Sequence, residues 1–313
     1  MDRLAELRQH ITKEQLGIEI GPWFNPIAPK RLGYNSLTLD VFNLAELQSR
    51  AHADPGIPDE KIRDIEHVDL IGSVTNLAQI VNETGLIGKI HYIVSSHNFE
   101  HIPDPIRFLQ ACERVLKYGG ILSMAIPDRR TCFDYFRPHS TTGDLLDAFW
   151  QRRDRPTPGQ LFTHHALHVY NSIAGVDRIG WSLTSDPSGI RVIGDLEAAF
   201  SSALSELEGN KNGYTDAHCW VFTPASFEAI ISDLQVLGLL RMRLKRVVGP
   251  NGHEFYAHLV NEAPEPEPAS PAEAARRRTE LLHRVNDEAG ANSLASAKHD
   301  RPALCNPPPA AHK

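Results

Sequence analysis

Residues 91–128, HYIVSSHNFEHIPDPIRFLQACERVLKYGGILSMAIPD, run through strand, polar loop, amphipathic helix, glycine turn and strand in unbroken order. Ile90, Tyr92, Ile93 and Val94 form a short apolar run of the length of a buried parallel strand. From Pro105, the residues Ile106, Leu109, Val115 and Leu116 recur at helical spacing, and Gly119-Gly120 is expected to stop the helix before a strand over 121–126. This order is one βαβ unit. Open α/β sheets place ligands outside the carboxyl ends of their strands, so Ser95, Ser96, His97, Asn98, Glu100 and His101 mark a polar site.

Upstream, Leu16, Ile18 and Ile20 make a strand that closes on Glu19-Ile20-Gly21-Pro22, and 37–41 makes a second with Asp40 at its end. Gly21 lets backbone approach a ligand with no Cβ in the way. Asp40 follows about 20 residues on, the distance at which a Rossmann-type carboxylate accepts two ribose hydroxyls. Pro22, Pro26 and Pro29 leave little room for a full helix between these strands, and Trp23 and Asn25 stand where further glycines would be expected. A third short strand is expected over 68–71, with Asp69 at its end.

Beyond Asp128 the alternation breaks, and residues 129–218 carry mixed charge and repeated Arg, His and aromatic residues without clean periodicity. It resumes at Thr223, an N-cap, with Pro224 in the first helical position and Phe227, Ile230, Ile231, Leu234 and Leu237 along one helix. Two strands, 242–248 and 254–259, flank Gly249-Pro250-Asn251-Gly252, a hairpin signal. Past Asn261, alternating Pro and Glu and a run of Ala, Asn, Ser and Pro predict a disordered tail, with room for a short helix over 272–285.

Phe99-Glu100-His101, Pro103-Asp104-Pro105 and Arg114-Val115-Leu116-Lys117-Tyr118-Gly119-Gly120 together resemble the fourth- and fifth-strand region of class I S-adenosylmethionine-dependent methyltransferases. The resemblance extends over about 17–259. It implies a Rossmann-like α/β fold: a seven-stranded mixed sheet with helices on both faces, closed by a helix and an antiparallel hairpin, and a large insertion after the fifth strand. The implied organisation is a cofactor-binding half over 1–128, an insertion or substrate lid over 129–218, the closing helix and hairpin over 219–260, and the tail over 261–313. It implies S-adenosyl-L-methionine as cofactor, with Glu19, Gly21, Asp40, Asp69, Ser96 and His97 as its contacts, Asp69 toward the adenine. His101 is the implied base or acceptor-orienting group, with Asp128 or His165 in reserve, since transfer from a sulfonium needs positioning and at most one base. The strings 126–134 and 214–224 are similar to a bacterial methyltransferase-like subgroup.

The chain has 313 residues and a formal charge of −7, so it carries no global basic field and nucleic acid is not expected as its partner. The expected acceptor is a polar small molecule or saccharide, methylated on oxygen or nitrogen. No apolar h-region follows Met1-Asp2-Arg3 and no run approaches the ~20 apolar residues of a membrane span, so a cytoplasmic protein without membrane attachment is expected. Cys112, Cys132, Cys219 and Cys305 are scattered and predict reduced thiols. His97 to His101 matches the zinc motif H-x-x-E-H, but that motif needs a helix and Pro103 and Pro105 impose a loop. His164, His165 and His168 are more readily hydrogen-bonded lid residues than ligands, so no metal is expected. Two rivals follow. A methyltransferase-like scaffold without transfer is favoured by Trp23 and Asn25; an NAD-dependent oxidoreductase is disfavoured by the absent G-x-G-x-x-G and by the terminal hairpin.

Overall fold

The computed structural model describes residues 1–209, 213–262 and 270–296. Its main sheet has seven strands: β1 (Gly17–Ile20), β2 (Ser36–Asp40), β3 (Leu70–Ile71), β4 (Ile90–Ser96), β5 (Leu116–Pro127), β9 (Arg243–Asn251) and β10 (Glu254–Val260). The spatial order is β3-β2-β1-β4-β5-β10-β9. The first five strands pair in parallel, and β10 enters antiparallel to β5 and to β9. This mixed sheet, closed by an antiparallel hairpin, has the seven strands and the closing hairpin expected from the sequence resemblance. The order reverses at β1, which has β2 on one side and β4 on the other, so the ligand crevice of the fold opens at the carboxyl ends of those strands.

The helices are α1 (Arg3–Arg8), α2 (Leu44–Ala53), α3 (Asp59–Ile62), α4 (Leu77–Glu83), α5 (Pro105–Val115), α6 (Thr142–Gln151), α7 (Pro158–Ala166), α8 (Leu196–Leu207), α9 (Pro224–Val236) and α10 (Pro271–Ser296). Asp104 caps α5 by accepting the Arg107 N–H, Pro105 takes the first helical position, and Ile106, Phe108, Leu109, Cys112 and Val115 are its buried stripe. The helix ends at Val115, ahead of the glycines expected to stop it. Gly119 and Gly120 lie instead in the entry to β5, where a Cβ on Gly120 would stand 2.9 Å from the Lys117 carbonyl oxygen and 3.1 Å from that of Ile90.

Between β1 and β2 there is only one 3-10 turn, Lys30–Leu32, as the three prolines imply. The sheet face so uncovered is sealed by Leu7 of α1 and by Ile27 and Ala28, which pack on Tyr92, Val94, Ile121, Ala125 and Tyr256. On the opposite face a larger core joins Ile18, Ile93 and Leu122 to α4, α5 and α9 through Phe99, Phe108, Phe222, Phe227 and Phe255.

Among its described residues, 129–209 and 213–218, the insertion folds into helices and a small sheet. It contains α6, the antiparallel pair β6 (Val169–Ile173) and β7 (Val176–Arg178), a third strand β8 (Ile190–Val192) against β6, and α7 packed on α8. Its last residues return beside β4: the N–H groups of Cys219 and Trp220 donate to the Glu100 carbonyl at 2.8 and 3.1 Å, and the Trp220 indole donates to Ile102 at 2.6 Å.

The disordered tail expected from 261 does not hold over 270–296, where α10 docks on α9. Its face is largely ionic, which hides it from an apolar-periodicity test. Arg278 bonds Asp233 at 2.8 and 3.1 Å, Arg284 pairs with Glu228 at 2.7 Å, Glu288 accepts the Ala225 N–H at 2.9 Å, and Val285 is the buried apolar contact. Residues 263–269 and 297–313 lie outside the described residues. Truncation after Glu262 is therefore expected to cost on the order of 2 kcal/mol and lower the melting temperature by a few degrees, as scanning calorimetry would show; an unchanged transition would mean that α10 contributes nothing to the core. Among the described residues, no helix is long and apolar enough to cross a membrane, and Cys112, Cys132 and Cys219 are buried free thiols.

Candidate active site

A cavity of about 670 Å³ opens where the strand order reverses. It is lined by residues 19–23 after β1, 39–42 at the end of β2, 72–74 after β3, and 96–98 and 101–103 after β4. The insertion adds 154–156 and 213–216. Arg155 ties these two stretches together, donating to the Gly213 carbonyl at 2.6 Å and to Thr215 Oγ1 at 2.8 Å while paired with Glu206.

Gly21 adopts a left-handed conformation, φ +55°, and a Cβ there would meet only Asn98 Oδ1 at 3.9 Å, so backbone faces open space. Trp23 and His97, which also line the cavity, have φ 50° and 49°. Left-handed backbone in such bulky residues is uncommon and gathers at functional sites.

Glu19, expected as a cofactor contact, lines the cavity and also holds the following loop. Its two carboxylate oxygens accept the N–H groups of Ile27 and Ala28 at 2.5 and 2.8 Å, stapling the helix-free loop to β1. Burial pushes this carboxyl up to about 7 against those two hydrogen bonds. Between the ordinary 4.5 and about 7 the unfolded chain ionises Glu19 while the folded one stays protonated, so stability should fall as pH rises through that window and level off above it. In urea unfolding, Glu19→Gln should flatten this segment of the pH profile relative to wild type; parallel profiles would contradict the assignment.

Asp40 lines the cavity at the end of β2, its Oδ1 accepting the Phe42 N–H at 3.0 Å, and burial raises its carboxyl above the usual range against backbone hydrogen bonds from Phe42 and Val41. Asp69 is not in the cavity. The strand β3 holds only Leu70 and Ile71, so Asp69 precedes it, and its carboxylate binds the Lys30 ammonium and the Thr38 N–H; Gly72, Ser73 and Val74 occupy the strand's carboxyl end instead. Ser96 accepts from Arg3, and His97 Nε2 lies 2.7 Å from Glu254 Oε2. Burial would raise the Glu254 carboxyl, but the His97 bond and the Arg3 charge bring it down to about 2.

Of the three groups expected to take a proton, only His101 borders the cavity. Its Nδ1 lies 2.9 Å from Asp216 Oδ1 and its ring meets that of His218 edge-on at 4.6 Å. Burial alone would lower its pKa; the Asp216 contact and the charges of Glu100 and Asp134 together raise it. Asp128 is fully buried, and Arg130 grips both its oxygens at 2.6–3.2 Å, which removes it as a base. His165 sits on α7 beside His164, outside the cavity lining.

Several lining residues were not among those the sequence singled out for the site. Tyr214 packs edge-on against Phe42 at 5.9 Å, Arg50 lies over the Phe42 ring at 3.7 Å, and Asp216 faces His101. The returning chain that brings Tyr214 and Asp216 here is held to the Glu100 carbonyl by the Cys219 and Trp220 N–H groups.

A family model described as "Methyltransferase domain" matches residues 88–124, within the strand-helix-strand unit that directs the fold. Among solved structures, a SAM-dependent methyltransferase from Aquifex aeolicus is 12% identical, with 82% of this chain and 87% of that chain covered and a TM-score of 0.38. A putative S-adenosylmethionine-dependent methyltransferase from Listeria monocytogenes is 10% identical over 82% and 96%, TM-score 0.40. One from Methanosarcina mazei is 14% identical over 83% and 97%, TM-score 0.38. No curated protein matches this chain.

Proposed function

We propose that this chain is a class I S-adenosylmethionine-dependent methyltransferase and that it methylates an oxygen or nitrogen of a polar small molecule or saccharide that enters at the His101 end of the cavity. S-adenosylmethionine, when bound, supplies an electrophilic methyl group on a sulfonium. The cavity residues fit it: Gly21 leaves backbone open to the ligand, Asp40 offers carboxylate oxygens to ribose hydroxyls, and Phe42, Val74 and Tyr214 provide apolar surface for a base. Ser96 and His97 are assigned to the rim of the same pocket. Glu19 positions the loop and Asp69 has no part in binding.

The observation that carries the acceptor class is the polar insertion edge. Arg155, Thr215 and Asp216 close over the cavity on the side of His101, and a lipid acceptor would want a continuous apolar wall there. Holding acceptor and cofactor in line is where such an enzyme gains most of its rate. Incubation with S-adenosylmethionine labelled in its methyl group and a panel of saccharides, hydroxylated acids, amines and lipids tests this directly. Label in a hydroxylated or amino acceptor is expected. Label in lipids alone would overturn the acceptor class, and failure to bind cofactor would favour the scaffold alternative.

A further inference from the structure

Glu100 is 1% exposed, and neither of its carboxylate oxygens has a hydrogen-bond donor. A buried carboxylate left so costs several kcal/mol unless a cation compensates it. Its Oε1 is instead ringed by imidazole nitrogens: His101 Nε2 at 3.7 Å, His218 Nε2 at 3.7 Å and His97 Nδ1 at 3.8 Å, all too far for hydrogen bonds.

The other nitrogen of each ring already faces a carboxylate. His218 Nδ1 and His97 Nε2 hydrogen-bond Asp134 Oδ2 and Glu254 Oε2 at 2.5 and 2.7 Å, and His101 Nδ1 lies 2.9 Å from Asp216 Oδ1 but outside hydrogen-bond geometry. With the outer nitrogen of a ring directed at a carboxylate, its inner nitrogen is the atom left to face Glu100, which is how a histidine presents a nitrogen to a metal ion.

The geometry points to a divalent-cation site of the zinc type, with Glu100, His101 and His218 as ligands and Asp134 and Asp216 as the carboxylates that orient the two imidazoles. One donor atom from each of the three ligands lies within 4.8 Å of the others. Tetrahedral ligands at ~2.0–2.2 Å from zinc stand about 3.3–3.6 Å apart, so the 3.7 Å separations need to close by only a few tenths of an ångström. Two imidazoles and one carboxylate with the fourth position open is a ligand set of catalytic zinc, and carboxylates on the outer nitrogens are its usual support. Asp134 is itself fixed by Arg137 at 2.6 Å. No helix is required: Glu100 and His101 sit on a 3-10 turn, Phe99–His101, and His218 is delivered by the returning insertion. Because His101 borders the cavity, the ion would face the acceptor end; that use rests on the methyltransferase reading, whereas the site does not.

Full-length protein stripped with a chelator and titrated with zinc by calorimetry is expected to take one equivalent. Glu100→Gln and His218→Ala should weaken zinc at least ~100-fold, and Asp216→Asn ~10–100-fold. The Asp216 side chain is 74% exposed, so that variant should keep its fold where a buried substitution could fail. No zinc uptake by the wild type, or equal affinity in wild type, Glu100→Gln and Asp216→Asn, would overturn the site. S-adenosylhomocysteine titrated separately keeps the questions apart: zinc binding without nucleoside binding would sustain this site while removing the methyltransferase function.

Discussion

Asp134→Ala is expected to destabilise the protein by about 3–5 kcal/mol, the largest loss foreseen for a single side chain outside the sheet. The carboxylate is 2% exposed and accepts from Arg137 Nη1 at 2.6 Å and His218 Nδ1 at 2.5 Å. Burial opposes its ionisation, but these two cationic or donor partners hold it well below the usual carboxylate range. Truncation would leave the buried Arg137 guanidinium with the His218 carbonyl, at 2.8 Å, as its remaining acceptor among the described contacts. Removing one member of a buried pair costs more than the pair contributes, because the other charge stays out of water. Urea unfolding should record the loss. A change below about 1 kcal/mol would show that Arg137 reaches water once Asp134 is gone.

Asp40→Ala should weaken S-adenosylmethionine by about 1.5–3 kcal/mol, roughly 10- to 150-fold, through the loss of charge-assisted bonds to the ribose. The fold should be untouched, because among the described contacts Asp40 supports only its own turn through the N–H groups of Phe42 and Val41. Undiminished affinity would move the ribose away from β2.

The sequence discloses the parts of this molecule whose partners are near in the chain. Residues 91–128 are legible because β4 is apolar on both faces and α5 carries its cap and its buried stripe within eleven residues. Asp40 is legible from spacing to β1, and the missing first helix from its prolines. Register defeats the same logic at Asp69: with only two residues in β3, one step decides whether a carboxylate precedes the strand or ends it. Asp128 has the right place but spends both oxygens on Arg130, a pairing that no periodicity discloses. In the insertion, Leu161, Ala199 and Ala203 are buried by one another's helices across forty residues, so α7 and α8 give no local amphipathic signature strong enough to read. The same holds for α10, whose docking face is made of Arg and Glu. Tyr214 and Asp216 line the cavity, and His218 stands beside His101, where the returning chain gives two backbone N–H groups to the Glu100 carbonyl, and only the folded chain reports that.

Hydrogen exchange with and without S-adenosylhomocysteine tests most directly whether the nucleoside occupies this cavity. Saturable binding of one ligand per chain is predicted, with protection gained together in three separated stretches, 19–23, 39–42 and 72–74, and at 213–216 if the insertion closes over the ligand. Absence of binding, or protection confined to residues away from the carboxyl ends of β1, β2 and β3, would contradict it.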